Sequence, residues 1–118
     1  MSQRHPIIAI TGSSGAGTTT VKDTFSKIFV REGVNAAFIE GDAFHRYDRA
    51  AMKQKVAEEE KNGNLHFTHF NPEANELETL QSVFETYGKT GTGKTRNYIH
   101  DDGEAELYGT APGTFTAW

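Results

Sequence analysis

The chain has 118 residues, enough for one small domain with one core, and a net charge of −4 from 12 basic and 16 acidic side chains. Hydrophobic residues make up 36% and charged ones 24%, a globular balance that excludes a disordered tail, while the acidic sign argues against a nucleic-acid partner. With no cysteine and no apolar run of membrane-spanning length, disulfides, thiol chemistry and a membrane partner are excluded, and a cytoplasmic location is expected.

In chain order, PIIAIT (6–11) is a short β-branched run between Pro6 and Gly12 and predicts a buried strand. The loop GSSGAGTTT (12–20) follows at once. Val21, Phe25, Ile28 and Phe29 fall on one face of a helix over 18–32, with Gly33 as its stop. AAFIE (36–40) predicts a second strand, parallel to the first because a helix separates them. Residues 44–61 are strongly charged, and EEEK (58–61) reads as a solvated helix surface. NGNLHFTHFNP (62–72) reads as loop with room for one short strand.

Asn75 and Glu78 have the spacing of a capping box. Behind them Leu77, Leu80, Val83, Phe84 and Tyr87 predict an amphipathic helix ending at Gly88. TRNYIH (95–100) predicts a strand, DDG (101–103) a turn and GTFTAW (113–118) a further strand. The whole reads as α/β, a P-loop kinase-like parallel sheet with flanking helices, with 1–118 the amino-terminal part of a single domain. Two parallel strands do not make a covered sheet, so truncation at the carboxyl end is expected.

Two stretches compete to hold a phosphate. GKTGTGKT (88–95) fits G-x-x-x-x-G-K-[ST] through Gly88, Gly93, Lys94 and Thr95, whereas 12–20 has Thr18 in place of lysine. A phosphate loop needs a strand before it and a helix amino terminus after it, so that backbone N–H groups and the helix dipole meet the anion. Only the first stretch has both. Gly12, Ser13, Ser14, Gly15, Ala16, Gly17, Thr18, Thr19 and Thr20 are therefore the expected ATP-binding residues. The Thr19 hydroxyl stands where Mg²⁺ is ligated, and a cation from elsewhere must replace the lysine.

A second constellation follows the second strand in IEGDAFHRYDRAAMK. Asp42 falls just past the strand's carboxyl end, where α/β sheets place ligands. If 43–54 is helical, His45, Arg49 and Lys53 form one cationic stripe suited to a substrate phosphate, with Asp42 accepting a hydroxyl proton. The competing reading makes Asp42 a cap on a solvated basic helix. His66 and His69 have metal-like spacing but no nearby carboxylate pair, and read as surface or packing residues.

HPIIAITGSSGAGTTTVK, IEGDAFHR, FNPEANEL and APGTFTAW, in order from residue 5 to 118, resemble the bacterial phosphoribulokinases. The resemblance implies ATP-dependent phosphorylation of ribulose 5-phosphate to ribulose 1,5-bisphosphate, a step of carbon fixation in the Calvin cycle. It implies Asp42 as catalytic base, and His45, Arg49, Tyr98 and His100 as substrate contacts with Lys53 their neighbour. Arg31 matches a position linked to nucleotide control. Loops without lysine occur in the family. The resemblance also implies a homo-oligomer at full length, and an acidic strand end and basic lid beyond Trp118. Rival readings are a uridine, pantothenate or related sugar-phosphate kinase, a relative acting on another phosphorylated or small polyol substrate, and a non-catalytic nucleotide-binding fragment.

Overall fold

The computed structural model describes residues 3–13 and 15–118. Two compact units emerge: Pro6–Phe38, and Ile39–Trp118 together with the amino terminus up to His5.

In the first unit the run 6–11 leads through the glycine loop into α1, Thr18–Arg31. Phe25 meets Phe29 at 5.8 Å between ring centroids, and Phe29 meets Phe38 at 6.2 Å, so the predicted apolar face is the one used. The helix ends as the sequence requires. Gly33 takes a φ of 68°, and Val34 N–H reaches back to the Phe29 carbonyl at 2.8 Å.

The strands are corrected. Among the described residues there is no strand, only two isolated antiparallel bridges, His45 with Asn75 and Tyr98 with Phe115. Residues 6–11 and 36–40 carry no regular secondary structure and form no ladder, and Ile8 and Ile10 remain 63% and 38% exposed. A helical crossover fixes the direction of two strands and not their adjacency. Without a neighbour to pair with, an apolar β-branched run is irregular chain and nothing more.

In the second unit, Gly41–Phe44 is one turn of 3-10 helix, so the helix predicted over 43–54 does not form there. Asp48 caps α2, Arg49–Lys61, accepting from Ala51 N–H at 2.9 Å. The solvated carboxyl half is as read, with Lys55 paired to Glu59 at 2.8 Å. A second 3-10 turn, Pro72–Ala74, precedes α3, Leu77–Thr90. Asn75 is no cap: its amide donates to the carbonyls of His69 and Asn71, closing the 62–72 loop. Gly88 lies inside α3, and Gly91, with φ 75°, ends it.

The predicted turn 101–103 opens a helix. Asp101 accepts from Glu104 N–H at 2.9 Å and caps α4, Asp102–Tyr108. The two runs flanking α4 bond to each other: Ile99 N–H to Thr114 O at 2.9 Å, Gly113 N–H to Ile99 O at 2.7 Å, and Thr116 N–H to Asn97 O at 2.9 Å. This short antiparallel tie carries Ile99, which is fully buried, while Met52, Phe67 and Ala74 form a cluster backed by Tyr47 and Val56.

Candidate functional site

Asp42 lies in the Gly41–Phe44 turn with its carboxylate between two imidazoles. His100 Nε2 is 3.2 Å from Oδ2, and His45 Nε2 is 3.8 Å from Oδ1. Since Asp48 caps the basic helix, the Asp42 carboxylate is left to side chains. That removes the helix-cap reading of Asp42.

The turn itself is held from below. Arg96 donates from Nε to the Ala43 carbonyl at 2.7 Å and from Nη2 to the His45 carbonyl at 2.6 Å. Its guanidinium lies 3.6 Å over the Phe115 ring and 4.5 Å from the Trp118 ring, and Trp118 packs on buried Phe44. Arg46 ties the same segment to the second 3-10 turn, donating to the Glu73 and Asn75 carbonyls.

One cavity reaches this turn, and a second shares two of its lining residues. The first, of about 550 Å³, is lined by Asp42, His45, His69 and Tyr98 among others. The other, of about 540 Å³, is lined by Arg49, Lys53, His69 and Tyr98 with apolar Met52 and Phe67. His69 and Tyr98 belong to both. A carboxylate on one side and two cations one helical turn apart on the other is a layout for a polar substrate with an anionic end.

The cationic stripe is split. Arg49 and Lys53 lie on the first turns of α2, but His45 precedes the helix and faces His69, stacked at 4.4 Å. Burial, and then the neighbouring His69, push the His45 pKa down despite Asp42, so this ring favours the neutral form. His100 goes the other way. Partial burial lowers its pKa, but hydrogen bonds to Glu104 and Asp42 outweigh that and raise it. The fixed cations lining the second cavity are therefore Arg49 and Lys53, while His100 is the imidazole whose protonated form is favoured beside Asp42.

Arg49 is held by its backbone N–H on the Gly113 carbonyl and by Nη2 on the His100 carbonyl, at 2.9 and 3.0 Å. Gly113 has φ 77°, and a Cβ there would lie 2.9 Å from the Arg49 Cβ. Only glycine fits beneath that side chain.

The loop 12–20 belongs to the other unit; Ser14 lies outside the described residues. Gly15 and Gly17 take φ of 80° and 89°, and a Cβ on either would meet nothing within 4 Å. The first turn of α1 holds no acidic residue and no side-chain cap, and Thr19 is exposed on it. Open glycine backbone running into an uncapped helix amino terminus fits an anionic phosphate chain. The competing stretch 88–95 continues from α3 into irregular chain, and no helix begins before Asp102. Arg31, in the last turn of α1, is exposed and paired with Glu32 at 3.1 Å.

Sequence reasoning missed Arg96 and Glu104. His69, expected as a surface or packing residue, does stack on His45, and it also lines both cavities. Arg96 and Glu104 work through partners that only the fold brings near.

The profile of the family described as Phosphoribulokinase / Uridine kinase matches residues 7–112. The chain belongs to the phosphoribulokinase / uridine kinase family. Within this family of P-loop kinases its likeness is to bacterial phosphoribulokinases. It is 66% identical over 118 residues to the phosphoribulokinase of Sinorhizobium medicae, covering 100% of this chain and 40% of that protein. The phosphoribulokinase of Nitrobacter vulgaris is 63% identical, with 41% of its length covered. The solved phosphoribulokinase structure from Rhodobacter spheroides superposes with a TM-score of 0.85 at 52% identity, over 99% of this chain and 39% of that one. The chain thus spans about 40% of the length of the curated relatives it matches.

Proposed function

We propose that this chain supplies the phosphate loop, the catalytic base and part of the sugar-phosphate site for ATP-dependent conversion of ribulose 5-phosphate to ribulose 1,5-bisphosphate. The observation that carries the reading is the Asp42 carboxylate in one cavity, with Arg49 and Lys53 in a second that shares its His69 and Tyr98 walls. It is supported by 66% identity to a relative of that name.

Arg49 and Lys53 hold the phosphate of the sugar, made to fit by charge and by their spacing on α2. Tyr98, which lines both cavities, and His100, whose ring meets Asp42, complete the substrate contacts. Asp42 takes the proton of the acceptor hydroxyl as its oxygen bonds to the γ-phosphorus and the bond to the ADP oxygen breaks. His45, neutral, contributes a hydrogen bond and not a charge. Residues 12–20 bind the triphosphate through backbone N–H groups, and Thr19 is the residue that would ligate Mg²⁺, which offsets charge on the transferred phosphoryl.

The test uses a chimera in which this chain replaces the matching 40% of the Sinorhizobium medicae relative. Asp42→Asn keeps shape and removes the proton acceptor, so turnover should fall by about 10²–10⁴-fold with ATP affinity retained. Turnover near that of the unsubstituted chimera would refute Asp42 as the base. Equal turnover of ribulose 5-phosphate and unphosphorylated polyols would refute the phosphate role of Arg49 and Lys53. A chimera that binds ATP and phosphorylates nothing would favour the nucleotide-binding fragment.

A further inference from the structure

Glu104 has no part in the chemistry above, yet it contacts a residue that does. From the first turn of α4 its Oε2 meets His100 twice, accepting from the backbone N–H at 2.9 Å and lying 3.0 Å from ring Nδ1. The other ring nitrogen, Nε2, is 3.2 Å from Asp42 Oδ2. A neutral imidazole has one N–H to give, and an ionised carboxylate only accepts. To serve both carboxylates, His100 must donate from both nitrogens, as an imidazolium between two anions.

The ring's other neighbours are of both signs. Glu40 adds negative potential at the ring, and Tyr98 stands edge-on at 5.0 Å. Arg49 donates to the His100 carbonyl oxygen. Asp101 accepts from the Glu104 backbone N–H, and so fixes where Glu104 begins. Across Asp42, His45 and His69 are stacked on each other.

We propose that Glu104 is a positioning residue: acting through the imidazole of His100, it sets the orientation of the Asp42 carboxylate. This rests on the reading of Asp42 as the proton acceptor. A carboxylate alone turns freely about its last torsion, which has broad wells. An imidazole anchored at Nδ1 presents its Nε2–H in one direction and holds Oδ2 there. Oδ1 is then the oxygen left for the acceptor hydroxyl.

Two measurements test it. The first is NMR titration of the five histidine rings in this chain and in the chimera, with His100→Asn identifying the ring. Glu104→Gln should lower the His100 midpoint and shift its tautomer signature, and Glu104→Asp should restore part of both. A His100 midpoint unmoved by Glu104→Gln overturns the proposal. The second is kinetics in the chimera. Glu104→Gln should lower kcat by about 10-fold, as loss of an outer partner does elsewhere, but by under about 2-fold when His100 is already Asn. Equal losses in both backgrounds would show Glu104 acting independently of His100 and overturn it. An inconsequential Asp42→Asn would remove the base reading while leaving the titration result intact, so the two failures are told apart.

Discussion

At the scale of single residues, the molecule turns on who carries charge beside Asp42. From sequence, His45, Arg49 and Lys53 share a period of four and look equivalent. The fold separates them, because Asp48 starts the helix after His45 and burial lowers the ring's pKa. His100, 58 positions from Asp42, is the imidazole whose protonated form the fold favours. No periodicity could announce that. Sign follows from direction: His100's raised pKa means its ion pairs stabilise the fold fully below the ordinary value of 6.5 and are lost as pH climbs through the raised one. Arg96 is a second residue invisible to pattern. Its two carbonyl bonds and two aromatic contacts hold the Asp42 turn. Arg96→Ala should destabilise the unit by about 2–4 kcal/mol, because charged hydrogen bonds are lost and two carbonyls are left without a donor. Trp118, the one tryptophan and a direct neighbour of Arg96, reports this in thermal melts followed by fluorescence. An unchanged melting midpoint would show the clamp to be idle.

At the scale of elements, the amphipathic helices were legible in the sequence, while the short helix and the turns were not. α1 and its glycine stop came out within a residue, since amphipathic period and αL glycine are local properties. α4 was missed because DDG reads equally as a turn or as a cap, and the deciding bond is Asp101 to the Glu104 amide. Context also separates the two glycine stretches. Gly17, at φ 89°, opens α1, whereas Lys94 follows the end of α3 and no helix begins before Asp102. Gly17→Val should therefore abolish ATP binding in calorimetry: it strains the backbone by about 1–3 kcal/mol and fills the open face of the loop. Lys94→Ala should change affinity by no more than about twofold, as ordinary surface substitutions do. Loss of binding in Lys94→Ala with retention in Gly17→Val would transfer the phosphate to 88–95.

At the scale of the whole molecule, strand composition and sheet formation part company. The runs 6–11 and 36–40 have the composition of buried strands, and the backbone follows the Rhodobacter spheroides structure with a TM-score of 0.85. Yet no ladder joins them to anything among the described residues, and Phe38 and Ile39 are 41% and 38% exposed. A strand's backbone groups must be paired or hydrated. Hydrated amides exchange freely, whereas those in a formed ladder open only with the unit that contains them. In this chain by itself, amides of residues 7–10 and 36–38 should exchange fast, while the Ile99 and Gly113 amides, bonded across their antiparallel tie, should exchange slowly. In the chimera with the remaining length of the Sinorhizobium medicae relative, 7–10 and 36–38 should become slow as well, if the absent pairing partners lie in that remaining length. Hydrogen exchange read by mass spectrometry distinguishes the outcomes. Strong protection of 7–10 in the short chain would mean that the run is already paired there. Fast exchange in both would mean that an apolar β-branched sequence never joins a sheet here.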